Sequence, residues 1–333
     1  AQLTQSRRAA AFALIRGDGT VVTWGPGRFG GDSSAVQSEL WDVRKVVAST
    51  LAFAALRGDG EVVTWGHKDF GGFCDPVKEQ LHHVEHIAAT RDAFAAVRSD
   101  GGVVTWGNSD SGGDSSAVAT DLKMVRRISA ASEAFAAVTA DGRVVSWGRP
   151  DWGGDSSSVQ EHLTDVVAVA GSSRAFAALR RDGRLVSWGD PEFGGELPVA
   201  AKRLSSVQHL VASNGAFAAL LSCRGVVAWG DPLWGGDCSA EQTNLKDVES
   251  ITASDAAFAA LRADGTVVTW GHRSRGGDSQ PFTSQLYDVR QIVGASKAFA
   301  ALRGDGEVVC WGRIEAELDA SIRCRDVEED LKD

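Results

Sequence analysis

The stretch Ala52-Phe53-Ala54-Ala55-Leu56-Arg57-Gly58-Asp59-Gly60-Glu61-Val62-Val63-Thr64-Trp65-Gly66 decides the fold class. Two short apolar runs flank Asp59-Gly60. Glycine takes positive φ there without steric cost, so the chain reverses into a β-hairpin. Val62-Val63-Thr64-Trp65 is β-branched and aromatic, the composition of a strand packed on both faces. Ala52 to Leu56 sets one large ring among small side chains, as suits sheets that approach one another closely. Upstream, Val43-Arg44-Lys45-Val46-Val47 supplies a third strand. Downstream comes a variable loop and the double glycine Gly71-Gly72. After the matching glycines of the preceding repeat, Asp32-Ser33-Ser34 leads into Ala35-Val36-Gln37-Ser38-Glu39-Leu40, a cap followed by one helical turn.

The same pattern recurs at Phe12, Phe53, Phe94, Phe135, Phe176, Phe217, Phe258 and Phe299, each step being 41 residues. Trp24, Trp65, Trp106, Trp147, Trp188, Trp229, Trp270 and Trp311 keep that step, and each precedes a glycine. A repeat this small cannot bury both of its faces, so it must stack on the next. The expected fold is all-β: a β-propeller of eight 41-residue repeats, about three strands per blade, with residues 1–333 forming a single domain. Seven blades plus a spare repeat is the alternative. The chain begins just before the Phe12 strand, so repeat one is expected to lack a first strand of its own. Residues 324–331 contain Asp326-Val327 and Leu331, which resemble Asp42-Val43 and Val47; this segment is expected to complete the first blade and close the ring.

Lys and Arg number 34 against 44 Asp and Glu, for a net charge of −10. Phosphate neutralisation drives much of nucleic-acid affinity, so no nucleic-acid partner is expected. No run approaches the ~18 apolar residues of a membrane span, and no membrane partner is expected. The N-terminus has no apolar leader core, which points to a cytoplasmic location with a nuclear one left open. The five cysteines form no CxxC pair, and a disulfide framework or structural zinc is not expected. No cofactor is implied.

Specificity falls to the variable positions. Five residues after each repeat tryptophan stand Phe29, Phe70, Ser111, Trp152, Phe193, Trp234, Arg275 and Ala316. If these loops share a face, Phe29, Phe70, Trp152, Phe193 and Trp234 ring it with rigid anchors of the kind that dominate protein interfaces. Asp69, Asp151, Glu192 and Asp231 add an acidic rim. The competing reading is that each ring covers the glycine turn behind it. The repeat tryptophans are expected in the core. His82, His83 and His86 occupy the repeat positions of Trp41, Asp42 and Lys45, which vary between repeats; they are expected to face solvent, with no metal. In repeat six Cys223-Arg224 replaces Asp-Gly, and the turn is expected to shift its register onto Gly225. An active site needs different residues converging at one place, whereas this chain presents the same residues eight times, so no enzyme is expected.

The string Ala295-Ser296, Ala298-Phe299-Ala300-Ala301-Leu302, Asp305-Gly306-Glu307-Val308 and Trp311-Gly312 resembles the repeat of the regulator of chromosome condensation superfamily (RCC1-like). The short, indel-free repeat is similar to that of propeller-type β-lactamase inhibitory proteins, and related repeats occur in HERC-type ubiquitin ligases. Ser49 and Ala52 stand where that family usually has a glycine and a histidine, and the family's usual count is seven blades. The resemblance implies a non-catalytic protein–protein interaction propeller, monomeric, that recognises a partner or substrate through one loop face. It also admits a guanine-nucleotide exchange factor, the recognition part of a ubiquitin ligase whose catalytic domain is absent, or an enzyme inhibitor.

Overall fold

The structure, a computed structural model, describes residues 2–5 and 11–313; the segment 324–331, expected to close the ring, lies outside the described residues. The chain divides into two compact units, Ala1–Ala178 with Trp188–Asp190, and Leu179–Ser187 with Pro191–Asp333. Eight three-stranded antiparallel sheets follow one another along the described chain, one per repeat, so the blade count is eight and the fold is all-β, of the propeller class. Among the described residues only Val199–Lys202 forms an α-helical turn.

Blade 2 shows how the repeat builds a sheet. Its strands are Val43–Ala48, Ala52–Arg57 and Val62–Gly66. The central strand pairs on both sides, with Val47 opposite Ala54 and Phe53 opposite Trp65. At the hairpin Gly60 has φ +85°, and a Cβ there would lie 2.9 Å from the Cα of His83 in the next repeat. Both the left-handed backbone and the lack of room favour glycine. The following segment is helical as expected, a 3₁₀ stretch over Ser34–Glu39 in repeat one. Asp32 accepts the Ser34 N–H at 2.9 Å, and that bond holds its carboxyl below the usual carboxylate range.

Two expectations are corrected. Repeat one has its own first strand: Gln2–Gln5 pairs antiparallel with Phe12–Ile15, Leu3 opposite Leu14. The polar run Gln2-Leu3-Thr4-Gln5 has little intrinsic strand preference, but an adjacent strand satisfies its backbone groups, and Thr4 Oγ1 donates to the Val46 carbonyl of blade 2 at 3.2 Å. In repeat six the turn keeps its register. Arg224 itself adopts φ +60°, its N–H donates to the Leu221 carbonyl at 2.8 Å, and Leu221 N–H donates to Gly225. The ladder on either side fixes the register, and the residue absorbs the strain, about 1–2 kcal/mol. Cys74, Cys223 and Cys238 are free thiols, whereas Cys310 is disulfide-bonded.

Blades meet through a repeated interlock. Ala52, Ala54 and Leu56 of blade 2 pack with Phe94, Ala96 and Trp106 of blade 3 in one buried cluster. The alternate residues Phe53 and Ala55 pack back against Ala11, Ala13 and Ile15 of blade 1. The same packing of small central-strand residues against the large rings of the next blade recurs between blades 3 and 4 in the first unit and between blades 6, 7 and 8 in the second. Within every blade the Phe and Trp rings stack at 5.3–5.4 Å. From blade 2 onward the indole N–H also donates to the first carbonyl of the preceding double glycine. In the first unit Trp65 bonds Gly30 at 2.9 Å, and Trp106, Trp147 and Trp188 bond Gly71, Gly112 and Gly153, each at 3.0 Å. In the second, Trp229, Trp270 and Trp311 bond Gly194, Gly235 and Gly276 at 3.0–3.1 Å. Gly112 lies so close to the Phe135 ring that a Cβ would sit 2.6 Å from it. The double glycine therefore lets the rings of the next blade in and offers them an acceptor. Trp65, Trp106, Trp147, Trp188, Trp229, Trp270 and Trp311 are core residues, as expected, whereas Trp24 of blade 1 departs from the expectation and is exposed.

Candidate functional site

Each blade has two loop-bearing edges, and they differ in kind. At one edge lies the Asp-Gly hairpin. Its arginine repeatedly folds back on the aspartate two residues later: Arg57 on Asp59, Arg98 on Asp100, Arg180 on Asp182 at 3.3 Å and Arg262 on Asp264 at 3.0 Å. The Arg98 guanidinium, followed by the Gly102 N–H, draws the Asp100 pKa down to about 2. Apart from repeats four and six, where Thr139 and Leu221 replace the arginine, this edge is nearly uniform and charge-compensated.

At the other edge two loops meet: the connection between the first and second strands, and the 3₁₀ turn that follows Trp-Gly. In blade 2 they are joined by the His67 N–H bond to the Leu51 carbonyl at 2.9 Å. Successive blades are linked along this edge by backbone bonds stepping one repeat at a time. Thr50, Arg91 and Ser132 donate to the carbonyls of Arg91, Ser132 and Ser173 in the first unit; Asn214 and Asp255 donate to those of Asp255 and Ser296 in the second. A buried hydroxyl fixes the 3₁₀ turn from beneath. Ser49 Oγ accepts the Ala52 N–H at 3.1 Å and donates to the Phe70 carbonyl at 2.8 Å. Thr90 does the same for Ser111, Ser213 for Trp234 and Ser254 for Arg275. Sequence reasoning noted Ser49 only as a departure from a family glycine and missed this pinning role, although the recurrence of Ser or Thr at one repeat position was the signal.

The predicted aromatic positions all lie on this edge, and none is fully exposed. Phe29, Phe70, Trp152, Phe193 and Trp234 are half-buried. Phe29 and Phe70 pack against the blade cores, and Trp234 covers Gly215, whose absent Cβ would fall 2.6 Å from the indole. Each of these rings is thus partly covered by its blade and partly open to solvent. Ser111, which replaces an aromatic, is buried and bonds Asp92 at 3.4 Å. Of the predicted acidic rim, Asp69, Asp151 and Glu192 are exposed, whereas Asp231 caps its own 3₁₀ turn by accepting the Leu233 N–H at 2.8 Å. Ala316 lies outside the described residues.

The two tryptophans differ in electrostatic setting. In the first unit the guanidiniums of Arg149 and Arg174 lie 4.4 and 4.6 Å from the Trp152 ring centroid. Arg149 is neutralised by the buried Glu133 at 2.9 Å, which also pairs with Arg91, and Arg174 pairs with Asp190 at 3.6 Å. In the second unit Arg275 lies 5.4 Å from the Trp234 centroid, and no carboxylate among the described residues pairs with it. Next to Trp234, Leu233 is 69% exposed.

The histidine cluster is split. His82 and His83 are close neighbours, Nδ1 to Nδ1 3.1 Å, while His86 is half-buried on the first strand of blade 3, where burial and then Lys45 push its pKa down. Among the described residues no group of three metal-ligating side chains converges, and no helix is long and apolar enough to cross a membrane.

No family model matches the chain, and no curated protein matches it. Similar solved structures include Prp20p of Saccharomyces cerevisiae, the yeast RCC1, at 14% identity over 90% of this chain and 87% of that one, with a TM-score of 0.47. The CRINKLY WD40 ectodomain of the Arabidopsis thaliana receptor kinase ACR4 is similar at 14% identity, covering 78% of this chain and 90% of that one, TM-score 0.45. The computationally designed Ika8 protein is similar at 16% identity over 93% and 95%, TM-score 0.45. At these identities the likeness concerns fold alone.

Proposed function

We propose that this chain is a non-catalytic protein-recognition array that holds a protein partner through the 3₁₀-bearing edge of its blades. The observation that supports this reading is where the repeats differ. Central strands, Trp-Gly pairs and double glycines are nearly constant, and so is the Asp-Gly hairpin. The four residues ending in the ring position vary more: His67-Lys68-Asp69-Phe70, Asn108-Ser109-Asp110-Ser111, Arg149-Pro150-Asp151-Trp152 and His272-Arg273-Ser274-Arg275 keep Asp at the third position in three cases but differ in charge and in the ring residue. A rigid frame carrying diverse, half-buried aromatic and charged side chains suits selective binding. It does not suit catalysis, which needs one convergent set of unlike groups.

The test is affinity capture followed by comparison of variants. Trp152→Ala and Trp234→Ala are expected to lose captured proteins that the hairpin-edge variant Arg181→Ala retains. Equal capture by all three, with folding confirmed by circular dichroism, sinks the reading.

A further inference from the structure

We propose that the loop edge of the second unit takes an acidic protein segment carrying an apolar side chain among its carboxylates, an inference that rests on the protein-recognition reading above. The chain as a whole is acidic, at −10, whereas at this edge bases and acids are equal in number, so their placement decides the sign a ligand meets. Arg273, Arg275, Lys297 and Arg313 occupy it, against Glu192, Asp231, Asp255 and Asp278. Asp231 is engaged in capping the Leu233 turn, and Asp278 holds Arg273 at 3.3 Å while leaving that side chain 84% exposed. These residues are contiguous. Arg275 stacks on Trp234, the Asp255 N–H bonds Ser296 at 3.1 Å, and the Arg313 N–H bonds Lys297 at 2.9 Å.

The comparison with Trp152 carries the inference. There, each neighbouring guanidinium has its carboxylate, so the cluster is electrically closed and serves the fold. At Trp234 the guanidinium is unmatched among the described residues, and an apolar shelf, Leu233, stands beside it. The carbonyls of Trp234 and Arg275 are both pinned by buried serines, Ser213 at 2.8 Å and Ser254 at 2.9 Å. Both side chains are therefore presented from a fixed backbone, which lowers the ordering cost of binding. A carboxylate set against Arg275 completes the missing pair, and an adjacent apolar side chain covers Leu233 and the open part of the indole.

The test uses the full chain and a short fluorescein-labelled peptide of Asp and Glu around one Leu, read by fluorescence anisotropy. The same peptide with Asn and Gln in place of the acids is the neutral arm, and a single-stranded oligonucleotide of equal charge is the nucleic-acid arm. The acidic peptide is expected to bind, to weaken as salt rises, and to lose affinity by about tenfold or more in the double variant Arg273→Glu/Arg275→Glu. Leu233→Asp is expected to weaken it as well, and Lys68→Glu, on the first unit, to leave it unchanged. No binding, equal binding of the neutral peptide, indifference to the double variant, or tighter binding of the oligonucleotide each overturns the proposal. If the peptide fails while Trp234→Ala still loses captured protein, only the partner chemistry is wrong. If Trp234→Ala and Trp152→Ala both leave capture intact, the recognition reading has failed instead.

Discussion

Replacing Trp147 by Phe removes a hydrogen bond between blades while leaving an aromatic ring to stack on Phe135. In the native chain Trp147 is 4% exposed and its indole N–H donates to Gly112 at 3.0 Å. Losing that bond and stranding a buried carbonyl costs about 1–2 kcal/mol. The smaller ring gives up apolar contact and leaves a small void, about 1–2 kcal/mol more. The expected total is about 2–4 kcal/mol. Trp24 supplies the control: it stacks on Phe12 at 5.3 Å in the same way, is 42% exposed, and makes no such bond among the described residues. Trp24→Phe is therefore expected to cost less than about 1 kcal/mol. Urea denaturation followed by circular dichroism compares the two. Amide exchange then locates the loss, because a repeat array opens at its weakest junction, here between blades 3 and 4. If Trp147→Phe costs no more than Trp24→Phe, or if exchange rises evenly along the chain, the tryptophan interlock does not hold the blades together.

Other consequences are equally concrete. Arg224→Gly removes a left-handed arginine at the cost of a floppier unfolded chain, and is expected to raise stability by about 0.5–1 kcal/mol in the same urea assay; a decrease refutes the strain argument. Ala131 stands where Ser49 and Ser213 pin their turns, so Ala131→Ser is expected to gain a bond to the Trp152 carbonyl and slow amide exchange at Asp151 and Trp152; unchanged exchange counts against the pinning role. His86 has a pKa pushed down by burial, so the fold binds its proton less readily than the unfolded chain. Stability is expected to fall as pH drops below the ordinary histidine value, 6.5, and His86→Gln to flatten that part of the profile. For Asp100 the pKa is lowered, to about 2, so its favourable interaction is present above the ordinary carboxylate range and is lost as pH falls through that value. An NMR titration in which Arg98→Ala leaves the Asp100 midpoint unmoved contradicts the assigned cause.

The sequence alone determined the repeat, its length, the hairpin and the three strands, because those features are local. An Asp-Gly pair between β-branched runs encodes its own reversal, and eight recurrences leave no doubt about the period. It also placed seven of the eight repeat tryptophans in the core, all but Trp24. What it missed depends on neighbours one repeat away. Gln2–Gln5 reads as polar and shapeless until the edge of Phe12–Ile15 pairs with it. Arg224 reads as a broken turn, yet the flanking ladder holds the register and forces the residue into a left-handed backbone. Trp152 and Trp234 are indistinguishable by position. Only packing of adjacent blades decides that one is flanked by neutralised guanidiniums and the other by an unmatched one, because the charges that settle it, Glu133 and Asp190 against none beside Arg275, come from loops far apart in the chain.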